Sequence, residues 1–147
     1  MKQFLILAVL NLMLLTSCSE NSTPSFEPES YSGELTVYRV DQVDTRTDTV
    51  TLVIDGSAYQ LIHLTQASNL CNSSGTQSGF GSNSLTLTPT PQDITGCDNI
   101  RVPNGRFDAV FKDDSLTLGP ARIIFTVNAN GQTVNENWDY TFKLRKR

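Results

Sequence analysis

The chain is short of the residues that most chemistry needs. It has one histidine, His63, one tryptophan, Trp138, and three cysteines with no Cys-x-x-Cys spacing among them. Zinc sites want three or four ligands at short spacings, so no metal is indicated. No Gly-x-Ser-x-Gly elbow marks a nucleophile, and no Asp-x-Asp-x-Asp-Gly loop marks a calcium site. His63 is the one side chain whose ordinary pKa suits a general base at neutral pH. With no nucleophile marked beside it, it reads as a structural histidine, and the chain is expected to be no enzyme and to need no cofactor. The net charge of −4 argues against nucleic acid, which calls for a clustered basic patch. The basic run at Lys143, Arg145, Lys146 and Arg147 reads as a solvated strand end. Helical periodicity of useful length is missing as well, which excludes helix bundles and α/β layers.

What is present begins at the first residue. Lys2 gives a positive start, and Phe4 to Leu15 form an apolar run broken only by Asn11. The run is too short to span a bilayer and has the length of a signal-peptide core. It ends at Leu15-Thr16-Ser17-Cys18, which resembles the lipobox of bacterial lipoproteins. The resemblance implies cleavage after Ser17 and acylation, palmitate included, of Cys18. It also implies a place in the bacterial cell envelope, on the periplasmic or surface face of the outer membrane. One acyl chain holds a protein to a membrane only marginally, whereas two or more hold it stably. Loss of residues 1–17 removes one basic side chain and leaves 10 Lys and Arg against 15 Asp and Glu, a mature charge of −5.

Residues 18–32 are the cysteine expected to be acylated and, from 19 to 32, SENSTPSFEPESYS, polar and acidic with Pro24 and Pro28. Such a segment buries too little apolar area to fold and is expected to be a flexible tether. Residues 33–147 are expected to form one domain. Export leaves Cys71 and Cys97 as an even pair where disulfides persist, so a Cys71–Cys97 bridge is expected. Closing a ring of that size should contribute about 3.5 kcal/mol.

From Gly33 onward the pattern is β. Val50, Leu52 and Ile54 alternate with polar neighbours, as do Phe107, Ala109 and Phe111, and later Trp138, Tyr140, Phe142 and Leu144. Asp55-Gly56 and Asn130-Gly131 are hairpin signals. Strands are expected at 34–40, 48–55, 58–64, 84–88, 99–102, 106–112, 115–118, 121–128 and 137–145. Period two with one polar face means antiparallel pairing. The fold class is therefore all-β, an antiparallel meander of eight or nine strands closing as a barrel or a small sandwich. The segment CNSSGTQSGFGSNS, from Cys71, is rich in glycine and serine and reads as a mobile loop or ragged edge strands. The aspartates, Asp48 among them, are expected mostly in turns, where they bond their own backbone.

GFGSNSLTLTP, CDNIRVPNGRFDAVFKDDSLTL and the closing NWDYTFKLRKR resemble small bacterial lipoproteins with lipocalin-like domains. Where lipocalins carry Gly-x-Trp near the first strand, this chain has Gly33-Glu34-Leu35. The likeness implies a lipocalin-like barrel and carries no ligand site over residue by residue. From the residues themselves, the aromatic stripe Trp138, Tyr140 and Phe142, with Phe107, Phe111 and Phe125, is the one set that would line a cavity for a small apolar ligand. The same residues are what a β core requires. The expected role is a membrane-anchored binding module for such a ligand or for an envelope protein. A structural or assembly subunit of the envelope, or a small inhibitor of an envelope enzyme, is the alternative.

Overall fold

The computed structural model describes residues 27–92 and 95–147. The signal segment, Cys18 and the tether up to residue 26 lie outside the described residues. The described part is a closed barrel of eight antiparallel strands in chain order. They are β1 (Glu29–Arg39), β2 (Asp44–Asp55), β3 (Ala58–His63), β4 (Ser73–Ser78), β5 (Ser84–Pro89), β6 (Gly105–Lys112), β7 (Ser115–Ala129) and β8 (Gln132–Lys146). β1 pairs with β8, with Leu35 opposite Phe142 and Val37 opposite Tyr140, and this pairing closes the cylinder. Closure leaves no sheet to stack on, which decides for a barrel over a sandwich.

Alternation puts the apolar residues inside. Leu35 and Val37 of β1, Leu52 and Ile54 of β2, Leu85 and Leu87 of β5, and Phe107, Tyr140 and Phe142 have no exposed surface. Outward positions on β8, such as Lys143 and Arg145, are exposed. A barrel that crosses a membrane with its strands has the opposite pattern, apolar outside and polar inside.

Three local differences from the sequence reading have clear causes. β1 starts at Glu29, not after Ser32, because Tyr31 is buried and meets Phe80 with ring centroids 6.0 Å apart. The expected strands 115–118 and 121–128 are one strand, β7, with a register shift between Leu118 and Ala121. Gly119 sits in that shift at φ +84, and a Cβ there would strike the Tyr140 carbonyl oxygen. A bulge of this kind bends a strand without ending it. The third concerns 99–102, which is no strand. The Asp98 carboxylate accepts from the N–H groups of Ile100 and Arg101, both at 3.2 Å, and this turns the chain instead. Conversely, part of the serine-rich segment forms β4, which pairs with both β3 and β5.

The barrel has two unlike ends. At one, the entry end, lie the start of β1, the finish of β8 and the short links 56–57, 79–83 and 113–114. At the other lie the turn 40–43, the long links 64–72 and 90–104, and the tight turn Asn130-Gly131, whose φ angles of 53° and 79° suit the favoured hairpin geometry. The β7–β8 hairpin also extends past the last β1–β8 partners, Arg39 and Trp138, as far as Ala129 and Gln132. Cys71 and Cys97 are bonded, with their Cα atoms 5.1 Å apart, so the two long links are stapled to each other. They fill this end as a plug.

Candidate functional site

Most of the buried polar and charged side chains, Asp48, His63, Ser68 and Glu136 among them, lie at the plugged end. Trp138 is inward-facing on β8 and 1% exposed. Three guanidinium groups surround its ring: Arg46 at 5.2 Å from the centroid, Arg39 at 5.7 Å and Arg101 at 5.8 Å. Each distance is within the range of a cation–π contact. Glu136, two residues earlier on the same face, is buried and balances them. Its carboxylate accepts from Trp138 Nε1 at 3.0 Å, pairs with Arg39 at 3.2 Å, and accepts from Arg101 Nε. The Arg101 guanidinium holds the Glu136 carboxyl below its usual range even though burial opposes this. In return, Glu136 and then Asp98 raise the pKa of Arg101 further. Arg101 Nη1 donates to Asp98 at 2.7 Å, and its carbonyl oxygen accepts from the Tyr140 hydroxyl. Tyr140 thereby pins the 98–104 turn to the barrel interior, and burial pushes its own pKa up.

A second buried network holds the 64–72 link. Asp48 faces inward on β2 with no exposed side-chain surface. It accepts from Ser68 Oγ at 2.8 Å and from the Thr65 hydroxyl, and lies 2.7 Å from His63 Nδ1. Burial would raise the Asp48 carboxyl, but the hydrogen bonds from Thr65, His63 and Ser68 outweigh it and lower its pKa to about 2. The two networks touch where Arg46 Nη1 donates to the Ser68 carbonyl at 3.3 Å. The turn reading for Asp48 is thus corrected: the residue is the anchor of a link, because its place in the β2 alternation turns it inward. Nothing in the local sequence marks that role, since Thr65 and Ser68 lie 17 and 20 residues away.

Ser68, His63 and Asp48 are the three residue types of a nucleophilic triad, but not in its geometry. In a triad the carboxylate and the serine use opposite ring nitrogens. Here Asp48 and, at 3.4 Å, Ser68 both lie at Nδ1, while Nε2 is buried without a partner. All three residues are buried beneath the 64–72 link. The arrangement fastens a loop.

The aromatic residues singled out in the sequence do not share one chamber. Phe111 lies at the entry end, where it meets Phe80 edge to face at 5.4 Å. Phe107 and Phe142 meet edge to face at 5.7 Å, and Phe125 and Tyr140 at 6.4 Å. Trp138 lies under the arginines. Phe107 with Phe142 and Phe125 with Tyr140 contact in pairs within the core, and Phe111 packs against it. Among the described residues there is no group of three or more His, Cys, Asp and Glu able to hold a metal ion, and no helix long and apolar enough to cross a membrane.

No protein family, no curated protein and no solved structure matches the chain.

Proposed function

We propose that the protein is a lipid-anchored, non-enzymatic envelope lipoprotein whose plugged barrel end docks a protein partner. The observation that carries this reading is the distribution of exposed apolar side chains. Val43, Leu64 and Ile100, each on a different link of the plugged end, are 77%, 51% and 59% exposed, and Val110, Ile124 and Val134 are also exposed on β6, β7 and β8. Apolar side chains gathered at one end of a domain and rimmed by polar ones mark a binding surface, whereas single ones scattered on strands are ordinary. The plug beneath them is stapled and hydrogen-bonded, so little ordering entropy would be lost on docking. The tether expected from Cys18 joins the barrel at the opposite end, where β1 begins, and this would present the plug away from the membrane. A small apolar ligand in the barrel interior is not favoured, because the aromatic rings that would line its chamber pack on one another.

The test is site-specific photocrosslinking of the full-length protein in its own cells. A crosslinker at position 64 or 100 should capture one defined polypeptide, and the same group at Ser57, at the entry end, should not. Equal capture from both ends, or none from either, would leave the domain as a spacer. Separately, Cys18→Ala should move the protein from the membrane to the soluble fraction. Retention of that variant in the membrane would refute the anchor.

A further inference from the structure

β7 is paired on both sides for only part of its length. β6 meets it from Ser115 to Leu118, and past the bulge at Gly119 it continues to Ala129 with β8 as its one strand partner among the described residues. The hairpin thus becomes a two-stranded arm that outruns β1 at the plugged end. Its open edge has a definite chemistry. Ala129 and Gln132 flank the two-residue turn, and such a flanking pair exchanges hydrogen bonds across the hairpin. Alternation then turns the N–H and C=O groups of Phe125 and Val127 toward β8, and those of Ile124, Thr126 and Asn128 toward the open edge. The bond from the Val40 N–H to the Asn137 carbonyl, 3.0 Å, has the same parity, because Asn137 stands opposite Ile124 and directs its carbonyl away from β7. Among the described residues no other backbone bonds the main chain of Ile124, Thr126 or Asn128. All three residues are exposed.

Open edges in natural proteins are guarded by a charge, a proline or a bulge. From Ile123 to Asn135 the arm has no charged residue and no proline, and the bulge at Gly119 lies before it. The longer stretch without Asp, Glu, Lys or Arg, residues 56–92, needs no guard, because β3, β4 and β5 are each paired on both sides. A row of donors and acceptors at two-residue spacing is matched by extended polypeptide. This chain's own tether does not reach it. To lay residues 18–22 on the edge, residues 23–28 would have to span at least the length of β1, about 35 Å, with about 20 Å of chain. A second copy could use the same edge only antiparallel. That would turn the two plugged ends toward each other and the two tethers apart, against anchors in one membrane.

We propose that the β7 edge from Ile124 to Asn128 binds one extended segment of the partner protein as an added strand. The proposal deepens the docking reading and rests on it for the partner. Main-chain bonds would supply the contact, and an apolar side chain of the segment would cover Ile124, which is 60% exposed. An exposed isoleucine on a strand is ordinary by itself. Next to open main-chain groups it gives the added strand a place to pack.

Amide hydrogen exchange of the full-length protein tests the edge. In the protein alone, Phe125 and Val127 should exchange slowly, and Ile124, Thr126 and Asn128 quickly. The probe is the acetylated, amidated heptapeptide Thr-Val-Thr-Val-Thr-Val-Thr, which should slow exchange at those three residues saturably. Thr126→Pro removes one outward N–H and keeps the bonds to β8. It should weaken peptide binding at least about tenfold at little cost in melting temperature. Ile124→Lys, at an exposed position, puts a guarding charge on the edge and should weaken binding too. Slow exchange of all three amides in the protein alone would mean that the edge is already filled, and would overturn the proposal. So would no saturable slowing with the peptide, or slowing unaltered in both variants. Such a failure with capture still seen from positions 64 and 100 would remove the added strand and leave the docking reading standing. Protection by the peptide without any capture would refute the docking reading, and the partner strand with it.

Discussion

The two ends of the barrel are closed by different physics. At the entry end the closure is apolar: Tyr31, Phe80 and Phe111 meet edge to face, with centroids 6.0 and 5.4 Å apart. Short hairpins suffice there, because aromatic rings cover much area at little entropic cost. The plugged end is closed by two long links that could not hold themselves. They are fixed by a disulfide, by the Asp48 network and by the Glu136–Arg101 pair over Trp138. A polar plug of this kind stays in one geometry because each buried group has only one good set of partners. It is also exposed to failure, since removal of one member leaves the others unpaired. The comparison teaches that this chain spends hydrophobic area where it needs only closure. It spends bonds and charges where it needs a defined surface.

Predictions that break the comparison begin at the plug. Trp138→Ala should remove the ring that three arginines share and cost about 3–5 kcal/mol, read from urea midpoints. Phe80→Ala at the half-buried entry end should cost clearly less. Equal costs would mean that the plug is not the more integrated end.

Next, Cys71→Ser, or reduction of the wild type, should cost about 3.5 kcal/mol by the loop-closure argument. An unchanged melting temperature in reductant would mean that the hydrogen bonds alone hold the two links. Asp48→Ala should cost about 3 kcal/mol by stranding His63, Thr65 and Ser68. The double variant Asp48→Leu with His63→Phe should recover part of that loss. A double variant as unstable as the sum of the two singles would show that the pair does not act as a unit.

A smaller effect should follow pH. The Asp48 carboxyl lies at about 2 in the folded chain, against its ordinary value of 3.8. A depressed folded pKa gives stability that is present above about pH 4 and is lost as pH falls toward 2, on the order of 2 kcal/mol. Glu136, also held low, should add to the loss in the same direction. Hydrogen exchange at pH 3 and pH 7 should therefore show residues 64–72 and 98–104 opening before the entry end. Uniform opening would contradict the division.

The sequence made some strands far more legible than others. Alternation in β2, β3, β6 and β8 and the two hairpin signals follow from neighbours in the chain, and those strands were visible in it. β4 was legible only as one of two alternatives, a loop or ragged edge strands, because Ser-Ser-Gly-Thr-Gln-Ser has no apolar alternation, and pairing with β3 and β5 makes it a strand. The 99–102 segment reads as a strand by composition and is a turn because Asp98 captures its backbone. The aromatic stripe was readable, but whether it lined a void or filled a core depended on how the rings met across strands.

By itself, then, the sequence determined the class of the fold, the inward face of most strands and the pairing of Cys71 with Cys97. These are properties of periodicity, spacing and composition. The tertiary structure alone decided that the sheet closes into a barrel, and that Asp48 and Glu136 are buried anchors. The reason is distance along the chain: Asp48 meets Ser68, and Arg101 meets Glu136, across 20 and 35 residues, and no local pattern encodes partners so far apart.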